Sequence, residues 1–377
     1  MPLFRCRRRA IQYSPNPFSR FVSPFTFQGI DLFAGAGGLS LGAQLAGVTI
    51  THAVENHYAA AATYRLNHPK TSVLEQDIRR VAAIPRVQGA KLVLFGGPPC
   101  QGFSTSNQRT RTLENPKNWL FNEFFKVAAN SKPDWIVLEN VKGLRETAQG
   151  RFESLIFEQF AALGYSSTLW TLCASDYGVP QKRYRLFFIG RRSGPIPEKP
   201  SPIKDNAFTV REAIGDLPIL SIGANIDELG YRPGGVSHYA RERRGGMRTS
   251  TGHLVTANNA LVQKRYRHIP PGGNWTDIPA RLMKNYTNLV DDRSRHTGIY
   301  RRLRWDEPSV VIANYRKNML IHPDQHRGLS VREAARIQSF PDSYRFAGSI
   351  GFRQQQVSDA VPPLLAAAVY RTLVSHS

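Results

Sequence analysis

A thiol stands in the stretch Gly96-Gly97-Pro98-Pro99-Cys100-Gln101-Gly102-Phe103-Ser104, directly after the apolar run Leu92-Val93-Leu94-Phe95. The run reads as a short buried strand that ends in turn residues. Pro98 and Pro99 stiffen the approach to the thiol, and Gly102 lets the chain turn away. A lone Cys at an ordinary strand end is a packing residue, but such an end needs neither two prolines nor three glycines. A cysteine held on a loop above a rigid scaffold is placed for chemistry, and the chemistry open to a thiolate is nucleophilic addition. Two further candidates lie downstream. Glu139 opens the triplet Glu139-Asn140-Val141 at the end of the apolar run Asp134–Leu138, and ligand chemistry in open α/β sheets gathers at strand ends. Arg183 and Arg185 are two apart in an extended segment and share one face. They need an anionic or polar partner there, a plain salt bridge being the bland alternative.

The elements that must position these residues can be read around them. Ile30–Phe33 reads as a first strand, and Ala34-Gly35-Ala36-Gly37-Gly38 as the turn into a helix from about residue 39. Small residues let a ligand approach the backbone at such a turn. A dinucleotide glycine pattern would need Gly at position 40, where Ser40 stands, which argues against a nicotinamide or flavin cofactor and hence against an oxidoreductase. Thr49–Val54 reads as a second strand ending at Glu55, and an acid about twenty residues after the glycine turn can take ribose hydroxyls. A short third strand precedes Gln76-Asp77-Ile78. Residues 105–117 are polar, with Leu113 the one apolar side chain, and a loop of that length is mobile or functional. A helix over 118–129 puts Leu120, Phe124 and Val127 on one face. A second helix covers 155–163, and Leu186–Gly190 reads as another strand. Ser330 followed by Glu333 is a capping box for a helix over 331–338. Strands alternating with helices predict an α/β fold.

The chain has 377 residues and a formal net charge of +22. That length allows two domains, and that charge points to a polyanionic partner, nucleic acid before an acidic membrane surface. No apolar run approaches the ~20 residues of a membrane span. Cys6, Cys100 and Cys173 form no zinc-like cluster and fit a reducing compartment. Residues 1–27 carry five Arg and no acid. An arm laid on DNA phosphates and an inert extension are favoured there over a targeting segment, whose amphipathic helix the prolines before Phe25 oppose. Residues 191–326 hold 22 Lys and Arg against 13 Asp and Glu, with Tyr239, Tyr266, Trp275, Tyr286, Tyr300, Trp305 and Tyr315 interleaved. Basic and aromatic surfaces suit nucleic acid.

Taken together, the motif around Cys100, the block Asp31–Gly38, Glu139-Asn140-Val141, Gln181-Lys182-Arg183-Tyr184-Arg185 and the closing block Gln356–Leu364 resemble, in order, the motifs of the DNA cytosine-5 methyltransferases of restriction-modification type. The likeness runs from about Gly29 to about Leu365. It implies an α/β, Rossmann-like S-adenosylmethionine-dependent methyltransferase sheet with a smaller, mostly irregular or β target-recognition domain. The implied domains are 28–190 completed by 352–377, and 191–351 including the helix 331–338, after the basic arm 1–27. By the same resemblance Cys100 is the nucleophile, Glu139 binds the base, and Arg183 and Arg185 support Glu139 and reach the flipped cytosine. Phe33 packs on the adenine of S-adenosylmethionine, Gly35, Gly37 and Gly38 pass beneath its methionine part, Glu55 takes the ribose and Asp77 the adenine amino group. Pro99, Leu120 and Asp359 complete that site. Where the family has Gly-Asn, this chain has Ser358-Asp359, which bears on the methionine end. The implied activity is methyl transfer to C5 of cytosine in a specific double-stranded DNA sequence, through a covalent Cys–C6 intermediate on a flipped base and without a metal. The implied setting is a monomer in a prokaryotic cytoplasm, with a cognate restriction endonuclease. A tRNA cytosine-5 methyltransferase and a catalytically dead relative remain as alternatives.

Overall fold

The computed structural model describes residues 26–99, 119–146, 150–203, 207–284 and 298–377. Cys100, the loop 105–117, Tyr286 and residues 1–25 lie outside the described residues.

Seven strands form one sheet: β1 (Phe27–Leu32), β2 (Val48–Glu55), β3 (Ser72–Glu75), β4 (Lys91–Gly96), β5 (Trp135–Val141), β6 (Ser166–Cys173) and β7 (Tyr184–Arg191). Their order is β3-β2-β1-β4-β5-β7-β6. The pairs from β3 to β5 are parallel, and β7 runs antiparallel to both β5 and β6. All six residues of β1 are buried, as expected of a parallel strand covered by helices on both faces. The sheet accordingly divides two apolar layers. One gathers Phe27, Ile50, Phe95, Val137 and Phe187, and the other Ile30, Leu94, Phe124, Ile136 and Phe188. The reading from sequence gave no strand over 166–173. Its polar half, Ser166-Ser167-Thr168, sits on a sheet edge and shows none of the apolar run by which the central strands are found.

The helices are α1 (Gly38–Leu45), α2 (Tyr58–Asn67), α3 (Leu120–Ser131), α4 (Arg151–Ala162), α5 (Val210–Ile214), α6 (His238–Arg244), α7 (Ala260–Arg267), α8 (Val331–Ile337), α9 (Ile350–Asp359) and α10 (Pro363–Ser375), besides single turns. The last of these packs back on the first: a Cβ at Gly42 would lie 2.3 Å from that of Ala366, so only glycine admits the approach. Strand order reverses between β1 and β4, the position at which open α/β sheets bind ligands.

Residues 191–351 form few strands. Among the described residues they contribute the pair β8 (Glu228–Gly230) and β9 (Thr249–Thr251) and a separate core of Val262, Tyr266, Ile269, Trp275, Ile278, Met283, Tyr300 and Ile321. Here one expectation is corrected. Tyr239, Tyr266, Trp275, Tyr300 and Tyr315 are buried and so offer no stacking surface to nucleic acid. Tyr266, Trp275 and Tyr300 pack here with Val262, Ile269, Ile278 and Ile321 as part of the core. The helix expected at 331–338 is α8, with Ser330 and Glu333 closing the capping box. It is buried on every side, charges included: Arg327 grips Glu333 through two hydrogen bonds of 2.7 and 2.8 Å, and Arg336 is paired with Asp216 and Asp342. Such burial is tolerable because each charge meets an opposite one.

Candidate active site

The sheet register lines up the catalytic candidates before any side chain is considered. Leu32 pairs with Gly96, and Gly96 with Leu138. The residues one step further, Phe33, Gly97 and Glu139, therefore stand in one row across the carboxyl ends of β1, β4 and β5. On the antiparallel side Glu139 faces Phe187, so Arg185, two residues away on the same face, reaches it diagonally.

That diagonal contact is an ion pair. Arg185 Nε lies 2.8 Å from Glu139 Oε1, and each side chain is about a tenth exposed. Burial pushes the Glu139 carboxyl above the usual range, while Arg185 and then Arg183 pull it back only in part. The protonated form is thus favoured more than for a free glutamate. Arg183 is held differently: its Nη1 donates to the Ile312 carbonyl at 2.8 Å and its Nη2 to that of Ser358 at 2.9 Å. It braces two distant segments and acts on Glu139 through its field. Gly97 approaches Glu139 from the other side, where a Cβ would lie 2.7 Å from Oε2. Sequence reasoning gave Gly97 no separate role, because its requirement comes from a residue more than forty positions away.

A cleft opens beside this row. Phe33, Glu55, Asn56, Asp77, Pro99 and Leu120 line it, which brings together five of the nine residues expected at the cofactor site. Asn56 was missed, although it directly follows Glu55. Phe33 enters the cleft from a left-handed backbone, φ 59°, an outlier for a bulky residue. Its turn is fastened by Ala34 N–H to the Val54 carbonyl at 3.0 Å and Gly37 N–H to the Ala34 carbonyl at 2.9 Å. Glu55 accepts from Gly35 N–H at 2.8 Å and His57 N–H at 2.7 Å. Each oxygen keeps a further lone pair for a hydroxyl. Burial nevertheless raises the Glu55 carboxyl. Asp77 caps a short turn and is clasped by Arg79 through main chain and side chain, which lowers its pKa to about 2, the Arg79 side-chain hydrogen bond contributing most.

The remaining candidates lie elsewhere. Gly35 touches the cleft through its bond to Glu55. Gly37 and Gly38 are pressed against protein: a Cβ on Gly37 would sit 2.6 Å from His68 Nε2, and one on Gly38 2.3 Å from the Val361 carbonyl oxygen. Their smallness is explained by that packing. Asp359 ends α9, accepts from Gln355 Nε2 at 2.6 Å and is not among the residues lining the cleft. Desolvation raises its carboxyl against Gln355, Arg183 and Arg185 although the residue is exposed, so it stands at the surface on the arginine side of the site.

An aromatic ring and two carboxylates around a cleft suit a nucleoside with a vicinal diol. The neighbouring buried acid, paired with an arginine, suits a heterocycle presenting a ring nitrogen and a carbonyl. Comparison with known proteins agrees. Residues 27–375 match the family described as C-5 cytosine-specific DNA methylase. The Type II methyltransferase M1.HphI of Haemophilus parahaemolyticus is 37% identical over 347 residues, covering 90% of this chain and 84% of its own. The Type II methyltransferase M.DdeI of Desulfomicrobium norvegicum is 32% identical, covering 90% and 86%. Among solved structures, a prophage-encoded E. coli protein described as a DNA modification methyltransferase shares the fold with a TM-score of 0.72 over 93% of this chain and 99% of that one, at 24% identity. A match over almost the whole chain, with the strand-end row of Phe33, Gly97 and Glu139 beneath it, places the protein in the C-5 cytosine-specific DNA methylase family.

Proposed function

We propose that this DNA (cytosine-5)-methyltransferase takes its methyl group from S-adenosylmethionine, uses Cys100 as nucleophile and Glu139 as acid, and is the modification enzyme of a restriction-modification system. The pairing of a buried, pKa-raised Glu139 with Arg185 beside a nucleoside-sized cleft carries the reading. The cleft fits the donor: Phe33 offers a face for the adenine, Glu55 has lone pairs left for ribose hydroxyls, and Asp77, Pro99 and Leu120 close the walls. When bound, S-adenosylmethionine supplies an electrophilic methyl on a sulfonium sulfur.

The residues of the chain do the rest. Cytosine C5 is too weak a nucleophile to take a methyl unaided. The Cys100 thiolate adds to C6, breaking the C5–C6 double bond and leaving C5 enamine-like. Glu139 donates a proton toward N3 as negative charge develops on the ring, and Arg185, already fixed by Glu139, holds the O2 edge. Arg183 keeps that pair in place from its anchors on Ile312 and Ser358. After methylation, loss of the C5 proton to water restores the double bond and expels the thiolate. The target atom is inside the duplex stack, so the base is flipped out of it before the thiolate can reach C6. Gly97-Pro98-Pro99 joins the two halves: Gly97 touches Glu139 and Pro99 lines the cleft, two Cα steps of about 3.8 Å apart, and one peptide bond leads on to Cys100.

Residues 191–351 serve as the target-recognition domain, residues 28–190 with 352–377 as the catalytic domain, and the protein works as a monomer on duplex DNA in the cytoplasm, opposite an endonuclease of the same specificity. The names of the Type II relatives support the restriction-modification part of that setting. The test is covalent trapping. A duplex with 5-fluorocytosine at the target should form a denaturation-resistant adduct in the presence of S-adenosylmethionine, because fluorine cannot leave as the proton does. C100S should abolish it and C173S should not. An adduct mapped to another residue, or tRNA modified in preference to duplex DNA, overturns the assignment.

A further inference from the structure

The glycine turn that carries Phe33 into the cleft is closed from within by the Gly37 N–H bond to the Ala34 carbonyl, and the rest of its support comes from outside. Ala36 is flanked by two left-handed glycines, Gly35 at φ 55° and Gly37 at φ 84°, and a Cβ on Gly35 would meet nothing within 4 Å. Residues this free lose the most entropy on ordering, so the turn keeps its shape only where something outside it supplies contacts. On the sheet side Val54 and Glu55 do so. On the other side the contact comes from 308 residues away: the hydroxyl of Tyr344 donates to the Ala36 carbonyl.

Tyr344 is itself locked. It is 3% exposed, and its hydroxyl oxygen lies 3.0 Å from His68 Nε2. A phenol has one proton. A carbonyl oxygen can only accept, so that proton goes to Ala36, and His68 carries its own proton on Nε2 and donates to the phenol. His68 Nδ1 is then an acceptor, so the Gln44 amide, whose Oε1 is placed 3.0 Å from it, takes the reversed orientation that presents its N–H. Burial keeps His68 neutral, its pKa lowered to about 4, consistent with a single proton on the ring. From Tyr344 the chain of bonds continues into the recognition region. The Tyr344 carbonyl accepts from Arg332 Nη2 at 2.6 Å, and Arg332 Nε donates to the Thr251 carbonyl at 2.6 Å, on β9.

We propose that Tyr344 is a positioning residue for the methyl donor: through the Ala36 carbonyl it holds the Phe33–Gly38 turn in the shape the cleft requires, and through Arg332 it ties that turn to the β8–β9 hairpin. The proposal rests on the reading of the cleft as the donor site. A role confined to folding would lower kcat and stability together. A role in shaping the turn acts on donor binding and leaves the chemical step alone once the donor saturates.

The test is Y344F, which keeps the ring and removes the bond to Ala36. In calorimetry with S-adenosylmethionine its Kd should rise about tenfold over the parent protein, with KM for the donor rising in step. At saturating donor kcat should stay within about threefold, and Kd for duplex DNA without donor should be unchanged. H68L, which strips the phenol of its donor partner, should weaken donor binding in the same sense, and H68Q, whose amide can replace the Nε2–H, should recover it. A Kd for Y344F within twofold of the parent, or a fall in kcat with KM unmoved, overturns the proposal. If Y344F does not fold, the His68 pair decides, and equal Kd values for H68L and H68Q overturn it. Absence of S-adenosylmethionine binding by the parent protein overturns the reading of the cleft and the proposal with it. Normal binding by both parent and Y344F overturns the role of Tyr344 alone.

Discussion

One added methyl group at Gly97 tests the geometry of the acid more sharply than removing the acid. The Cβ of G97A would stand 2.7 Å from Glu139 Oε2, where ordinary contacts begin at 3.4 Å, so about 0.7 Å must be found. The carboxylate cannot swing away freely, because Glu139 is 9% exposed and its other oxygen is tied to Arg185 Nε at 2.8 Å. It is displaced toward Arg185, or the strand end carrying Gly97 moves. A misplacement near 1 Å costs on the order of 10²-fold in rate where a group must meet its substrate in hydrogen-bonding geometry. For 0.7 Å we expect kcat to fall roughly 10- to 100-fold, about 1.4–2.7 kcal/mol of transition-state stabilisation. Donor KM should change little, since Gly97 does not line the cleft. Single-turnover methyl transfer to a duplex, with donor and DNA saturating, measures it. The control is a double-mutant cycle with E139Q. If Gly97 acts through Glu139, adding G97A to E139Q should cost less than about threefold, since contacting residues are not additive. Full additivity would show that Gly97 acts through the Cys100 loop instead, and a wild-type rate in G97A would refute the reasoning outright.

Three other outcomes follow from the same structure. Burial pushes the Asp31 carboxyl up to about 8, against the Ser40 hydrogen bond and with help from Glu55; the native state then binds more protons than the unfolded chain from about pH 4 to 8, so stability falls as pH rises through that window, by at most about 1.4 kcal/mol per unit. Urea midpoints across pH 5 to 8.5 should slope less for D31N than for the parent, and parallel slopes would contradict the assignment. Arg302 is buried and donates to the carbonyls of Tyr266, Ile269, His322 and Gln325 at 2.7 to 3.0 Å; lysine lacks that fork, so R302K should lose about 3–5 kcal/mol locally, exposing residues 260–325 to limited proteolysis while donor affinity persists. Asp359 sits at the C-terminus of α9, where a negative charge opposes the helix dipole; D359N should leave donor Kd within about threefold and raise stability by less than ~1 kcal/mol, and a clear loss of affinity in calorimetry would show a contact of its own.

The sheet-forming half was legible because its determinants are local. β4 and β5 carry apolar runs closed by turn residues, and β1 leads straight into the glycine turn. The candidates Phe33, Glu55 and Glu139 stand at the ends of β1, β2 and β5, where the sheet makes sites. Legibility failed where the determinant is distant. The sequence cannot say that Gly37 is small because His68 and Tyr344 crowd it, since those neighbours lie 31 and 307 residues away. It cannot say that Arg183 is anchored on Ile312 and Ser358. In residues 191–326, composition suggested a stacking surface, yet Tyr239, Tyr266, Trp275, Tyr300 and Tyr315 are core. Composition counts side chains without saying which way they face. In a segment poor in regular structure, no periodicity of 2 or 3.6 supplies that direction.

The same lack of side chains that makes the site possible also sets its electrostatics. A carboxyl beside an arginine at 2.8 Å would ordinarily be held ionised. Here burial outweighs the pair, because Glu139 lies in a strand covered on both faces and Gly97 presents only backbone where a larger residue would have forced the carboxylate outward. The carboxyl is therefore kept in, kept oriented by Arg185, and kept protonated more than a solvated glutamate would be. Arg183, which could have cancelled the effect as a second contact ion, is spent on the Ile312 and Ser358 carbonyls and reaches Glu139 only through its field. Had both arginines bonded the carboxylate directly, its charged form would have been favoured. The division of labour between two arginines two residues apart thus leaves Glu139 with the raised carboxyl that the proposed mechanism requires of it.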